Sequence, residues 1–215
     1  MKILLLSPTG SHSTQRLVQE ARRLKLNFTA ASVADLNFVS SLDGAEILLG
    51  TRNIVEEYDV LIVRDFHPYV AEALTVAKFF SDAGKVVIDQ ILTEEGYSIS
   101  KMHDYLVLAE AGLPVPLTYQ LYKPLSLRAG LKKLGYPAVL KGDRGSHGEH
   151  VYRIKTPKQA KKIFEKYPSG GLLLQEYLPA DGDYRVVTLG YKALPVLVKR
   201  YPAKNDFRTN FQLTR

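Results

Sequence analysis

Apolar residues along this chain come in two rhythms. In the first, Lys2 to Ser7 is a short apolar run closed by Pro8-Thr9-Gly10, and Leu17, Ala21 and Leu24 then recur at helical spacing among charged residues. That pattern predicts a strand, a turn and a helix. Further strands are predicted over Phe28 to Val33, Ala45 to Leu49 and Asp59 to Val63. Val70, Ala73, Leu74 and Ala77 stand at offsets 0, 3, 4 and 7, so a helix follows, ended by Gly84 and succeeded by a strand over Lys85 to Asp89. Repeated strand-then-helix units predict a parallel sheet with right-handed crossovers.

The second rhythm starts after about Gly96. Met102, Tyr105, Leu106 and Ala109 line one face of a predicted helix stopped by Gly112, followed by Pro114-Val115-Pro116 and a strand near Leu117 to Leu121. Leu127, Leu131 and Leu134 mark another helix, which Gly135-Tyr136-Pro137 ends. Ala138 to Lys141 reads as a strand, and a second begins near Val151. Thr156 is a good N-cap with Pro157 at the first helical position, and Ala160, Ile163, Phe164 and Tyr167 give that helix its core stripe. Strands over Leu172 to Tyr177, Tyr184 to Leu189 and Ala193 to Tyr201 complete an α+β pattern behind an α/β one. The last of these is expected to leave an exposed sheet edge.

Composition narrows the class. At 215 residues, 46% hydrophobic and 24% charged, the chain is ordinary for a globular protein and unlike disordered or collagen-like sequences. No apolar run approaches the roughly 18 residues of a membrane span. The Ile3 to Leu6 run is too short for a secretion signal and meets Pro8, so a cytoplasmic protein is expected. With 0 Cys, disulfides, thiolate metal sites and cysteine nucleophiles are excluded. The net charge of +7 is unevenly spread: residues 1–95 carry 9 basic against 13 acidic side chains (−4), and residues 96–215 carry 20 against 9 (+11). A polyanionic ligand is therefore expected on the second half.

Within that half, Gly142-Asp143-Arg144-Gly145-Ser146-His147-Gly148 places three glycines in seven residues between two strands, directly after Lys141. Backbone N–H groups in such a turn can approach an anion closely. The same residues also suit a glycine-rich strand connection with a solvated lysine. The lysine precedes the glycines and a strand follows, so this is neither a Walker loop nor a dinucleotide fingerprint. Glu176, at the end of an apolar run, is either a cleft carboxylate or a rim one. Asp181-Gly182-Asp183 reads as a turn, and Lys199-Arg200 with 206–210 as a mixed polar set or a solvated tail. Thr9, Ser11 and Ser13 read as a turn and helix cap, and His147 and His150 lack the companions a metal site needs.

Taken together and in order, several segments resemble the ATP-grasp superfamily, and most closely its RimK-like ligases. These are Ser100-Lys101-Met102, the run from Ala109 to Pro116, Ala138 to Lys141 with its glycine loop, Leu174 to Leu178, Asp183 to Val187, and Asp206-Phe207-Arg208-Thr209-Asn210. The resemblance covers nearly the whole chain. It implies a Rossmann-like pre-ATP-grasp α/β domain over 1–96 and an α+β ATP-grasp nucleotide-binding domain over 97–215, incomplete at its C-terminus.

By the same resemblance, Lys101 and Lys141 contact nucleotide phosphates and Gly145, Ser146 and Gly148 fold over them. Glu176 and Tyr177 meet the adenine edge, Asp183 lies near the ribose, Thr209 also lines the ATP site, and Arg208 and Asn210 act at the phosphate or acceptor side. The implied reaction is ATP-dependent joining of an amino-acid or peptide carboxylate to an amine through an acyl phosphate. The family also uses magnesium, whose ligands lie beyond the Arg-Thr-Asn segment and are not in this chain, so weak nucleotide binding and poor ligation are expected of these 215 residues. The family's usual extra glycine is replaced here by His150. Two other readings remain open: a non-catalytic nucleotide-binding protein, and a basic nucleic-acid-binding module, which would need exposed aromatics among its Lys and Arg.

Overall fold

The computed structural model describes residues 1–42, 44–94, 97, 99–143, 150–168, 170–204 and 206–209. It divides into two compact units, Met1–Tyr97 and Ser98–Arg215.

The first unit runs β1 (Lys2–Leu6), α1 (His12–Arg23), β2 (Asn27–Ala31), β3 (Leu36–Ser41), β4 (Gly44–Leu49), β5 (Arg52–Asn53), α2 (Ile54–Glu57), β6 (Val60–Val63), α3 (Val70–Asp82) and β7 (Val86–Ile88). Its main sheet has the order β2-β1-β6-β7, with every pair parallel. Ile3 to Leu6 of the central strand are all buried, as expected of a parallel strand covered on both faces. Leu4, Leu6, Leu61 and Val63 form one core with Ala73, Val76, Ala77 and Phe80 of α3. Ser11 caps α1, its hydroxyl accepting from the Thr14 N–H at 3.2 Å.

One expectation needs correcting. Ala45 to Leu49 does not join the parallel sheet; β4 lies between β3 and β5 in a separate antiparallel one, with Leu36 opposite Leu49 and Leu49 opposite Arg52. Leu36 to Ser41 was not foreseen as a strand because only Leu36 of it is buried. A strand exposed along most of its length carries little alternation.

The second unit runs α4 (Lys101–Glu110), β8 (Thr118–Leu121), α5 (Pro124–Leu134), β9 (Ala138–Gly142), β10 (Val151–Ile154), α6 (Pro157–Phe164), β11 (Leu172–Glu176), β12 (Asp183–Leu189) and β13 (Lys192–Arg200). β10-β9-β11-β8 form an antiparallel sheet, and β12 and β13 pair as a hairpin. Register assigns the two faces of the four-stranded sheet. Leu121, Ala138, Leu140, Ile154, Leu172 and Leu174 alternate onto one face and pack with Leu127 of α5 and Ala160 of α6. The residues between them, Lys141, Arg153, Gln175 and Thr118, fall on the other face. The core thus decides which side of the sheet carries chemistry.

α4 forms where its spacing predicts, but no residue of it is buried, and Leu106, Val107 and Leu108 are exposed. In the hairpin, Val186, Val187, Val196 and Val198 are exposed as well, and among the described residues β13 pairs with β12 alone.

Candidate functional site

Asp143, at the end of β9, is a buried carboxylate. Its Oδ1 accepts from the Ser100 hydroxyl and from the Met102 N–H, both at 3.0 Å. Its own N–H donates to the Gly171 carbonyl at 2.7 Å. Ser100 meanwhile accepts from the His103 N–H at 3.2 Å. Two side chains therefore satisfy donors in the first turn of α4, and an anion there also opposes the helix dipole favourably. The consequence for the site is positional, because the first turn of α4 is pinned to the end of β9.

That junction brings two sequence-predicted lysines together. Lys101 Nζ donates to the Asp143 carbonyl at 2.7 Å. Burial lowers the pKa of Lys101 and the Lys141 charge adds to that, against the opposing pull of Asp143. Lys141 Nζ donates to the Tyr105 hydroxyl at 2.6 Å and to Gln175 Oε1 at 2.9 Å. Gln175 Nε2 donates in turn to Thr118 Oγ1 at 2.7 Å.

Glu176 turns out to be tied locally. Its Oε1 accepts from the Leu117 N–H at 2.8 Å, while its own N–H donates to the Leu117 carbonyl at 3.0 Å. Tyr177 lies against Arg153, which donates to its hydroxyl at 3.1 Å and sits 5.4 Å from its ring centre. The same guanidinium is 5.4 Å from the Phe207 ring, and the two rings meet edge to face.

Asp183 is engaged on both oxygens by Arg200, with Nε to Oδ1 at 2.7 Å, and accepts from Thr209 Oγ1 at 2.6 Å. The hydrogen bond from Arg200 holds its carboxyl below the ordinary range. Arg200, read from sequence as one of a mixed set or a tail, is thus fastened to Asp183. Gly182 beside it has no room for a side chain, since a Cβ would collide with the Arg200 carbonyl. Arg208 folds back on Asp206, its Nε 3.0 Å from Oδ1 and its terminal nitrogen 2.7 Å from Oδ2.

The Arg208 bonds pull Asp206 from 3.8 to about 2. A depressed folded pKa means that this stabilisation is complete above about pH 4 and is lost as pH falls through about 2. A carboxyl-detected NMR titration is expected to find Asp206 ionising near 2 and residues 206–209 loosening over the same interval.

Gly145, Ser146, Gly148 and Asn210 lie outside the described residues. The structure groups the remaining candidates in two sets. Lys101 and Lys141 are in one; Tyr177 just after β11, Asp183 of β12, and Arg208 and Thr209 of the segment after β13 are in the other, with Glu176 bonded to Leu117 beside Tyr177. Asp143, Tyr105, Gln175 and Arg153 were missed as site residues. Of these, only Gln175 carried a hint, as a polar side chain ending an apolar run.

Comparison with known proteins bears on the fold. The family model of the prokaryotic glutathione synthetase ATP-grasp domain matches residues 122–214. The α-aminoadipate–LysW ligase LysX of Sulfurisphaera tokodaii is 26% identical over 206 residues, which span 93% of this chain and 68% of that protein. Among solved structures, a RimK-domain ATP-grasp protein from Sphaerobacter thermophilus superposes with a TM-score of 0.66 at 18% identity, over 90% of this chain and 70% of the other. D-alanyl-alanine synthetase A from Vibrio cholerae gives 0.61 at 14%, over 95% and 68%. The strand order around β9 and β11 and both kinds of similarity agree on one fold, so the chain has an ATP-grasp fold and is similar to RimK-like ATP-grasp proteins.

Proposed function

We propose that this chain binds ATP in its second unit and serves an ATP-dependent carboxylate–amine ligase reaction. The observation that carries the reading is the convergence of the Lys101 and Lys141 ammonium groups at the junction of α4 and β9, where the glycine-rich segment leaves the sheet. Burial lowers the Lys101 pKa and the Lys141 charge adds to it, and an anion of more than one charge would offset both cations. The matched relatives point to the reaction class, since one is named as an α-aminoadipate–LysW ligase and another as a D-alanyl-alanine synthetase.

In such a reaction a carboxylate oxygen takes the γ-phosphoryl group of ATP and ADP leaves. An amine nitrogen then attacks the carbonyl carbon, phosphate departs, and the amine loses a proton. The chain's own residues contribute binding and charge. Lys101 and Lys141 hold phosphate oxygens and offset the charge that shifts between them. Gly145, Ser146 and Gly148 supply backbone donors to the same group. Tyr177, steadied by Arg153 and Phe207, faces the base with Glu176 fixing the strand end beside it. Asp183 and Thr209 serve the ribose side of the ATP site, and Arg208 and Asn210 the acceptor side. The acceptor is read as an amino-acid or peptide carboxylate.

Among the described residues no group of three His, Asp or Glu side chains is placed to hold a metal. No helix of the described residues is long and apolar enough to cross a membrane, and dependence on ATP favours a cytoplasmic reaction.

Calorimetric titration with ATP, GTP and a mixed-sequence oligonucleotide tests the reading. A 1:1 complex that prefers ATP is expected. Oligonucleotide binding that falls steeply with salt, without nucleotide discrimination, would overturn it.

A further inference from the structure

Two neutral oxygen acceptors from different elements converge on one ammonium. Tyr105 of α4 offers its hydroxyl to Lys141 Nζ at 2.6 Å, and Gln175 of β11 offers its Oε1 at 2.9 Å. The orientation of the amide is itself determined. Gln175 Nε2 donates to Thr118 Oγ1 at 2.7 Å, and Thr118 passes its own proton to the Pro116 carbonyl at 2.8 Å, so Oε1 must face the lysine. An ammonium has three protons, and among the described residues these two acceptors take two of them along set directions, so the third can serve a ligand.

We propose that Tyr105 is a positioning residue that aims the Lys141 ammonium at the phosphates of the bound nucleotide. The inference rests on the ATP reading above and adds a pH dependence to the same site. The charged groups that act on Tyr105 are Lys101 on α4 and Lys141 on β9, with Asp104 and Asp143 acting in turn on Lys101; the group facing it from β11 is the neutral Gln175. Burial pushes the phenol up, but hydrogen bonding from Lys141 and Gln175, with the two lysine charges, brings it net below the ordinary tyrosine range. When alkali removes the phenolic proton, the phenolate pairs with Lys141 and competes with phosphate. ATP affinity then falls at a lower pH than loss of the lysine protons alone would produce.

Tyr105→Phe keeps the ring and removes the hydroxyl from a half-buried position. ATP binding is measured across pH for the wild type and the variant, alongside tyrosinate absorbance in the near ultraviolet, where 13 Tyr and 0 Trp give a clean background. The variant is expected to bind ATP about three- to tenfold more weakly at neutral pH, the size of one ordinary hydrogen bond, because the lysine charge itself is retained. Its alkaline fall should move up to that of Lys101, and the earliest-ionising tyrosine should be missing from its spectrum. Lys141→Met should shift that tyrosine upward without nucleotide present. Equal affinity and an equal pH profile in wild type and Tyr105→Phe overturn the inference and leave the ATP reading intact. A wild type that binds no ATP overturns both.

Discussion

Lys141→Met is expected to weaken ATP binding by about a hundredfold, on the order of 3 kcal/mol, while leaving the unfolding midpoint of the second unit nearly unchanged. The size follows from the chemistry of the interaction that the substitution removes. A partly desolvated ammonium facing phosphate oxygens makes charge-assisted hydrogen bonds, which are about twice as strong as neutral ones. The small stability effect follows from position. Lys141 projects from the sheet face opposite the core formed by Leu140, Leu172 and Leu174, and methionine preserves the length of its stem. Gln175 keeps Thr118 as a partner, and the half-buried Tyr105 hydroxyl can turn to water. Calorimetry with ATP and a urea melt on the same preparation separate the two effects. Binding within a few-fold of wild type would mean that phosphate is not read at this lysine.

Asp143→Ala should act on both fold and site. It removes the acceptor for the Ser100 hydroxyl and the Met102 N–H at a place where the carboxylate is buried, so donors in the first turn of α4 lose their partner. Losing a helix cap costs about 1 kcal/mol, and unsatisfying donors bound to a buried charge adds about 2 more. A loss of roughly 3 kcal/mol corresponds to a drop on the order of 10 °C in the melting of the second unit. ATP affinity should fall as well, because α4 is no longer pinned to β9 and Lys101 loses the charge that opposes its deprotonation. Asp143→Asn retains an amide oxygen and should recover much of the stability but little of that charge effect. An alanine variant that melts like wild type would show that Ser100 alone caps α4.

Several elements were legible because their signals are local. Thr156 and Pro157 announce α6, and Thr156 does accept from the Gln159 N–H at 3.3 Å. The spacing of Val70, Ala73 and Ala77 marks α3, whose Ala73, Val76 and Ala77 are fully buried. β9 was readable from four residues, since Ala138 and Leu140 alternate with Lys141 across the sheet. The antiparallel placement of β4 was not legible, because its partners are chosen by hydrogen bonds to segments with little hydrophobic pattern. The missing burial on α4 was likewise invisible, since period alone reports a possible apolar face and not what covers it.

For the site the division is sharper. Lys101, Lys141, Tyr177, Asp183 and Thr209 were singled out because their segments, in order, resemble those of the ATP-grasp family. Tyr105, Asp143, Gln175 and Arg153 lie as much as 43 positions from the groups they bond, and nothing near them in sequence names the partner. Residue type and period, which act over a few positions, determined that this chain alternates strand and helix first, turns to antiparallel strands later, and gathers its cations in the second half. Only the tertiary structure decided that a buried aspartate joins α4 to β9 and that two neutral oxygens orient Lys141, because a hydrogen bond depends on angstrom-scale distance and direction that separation along the chain does not encode.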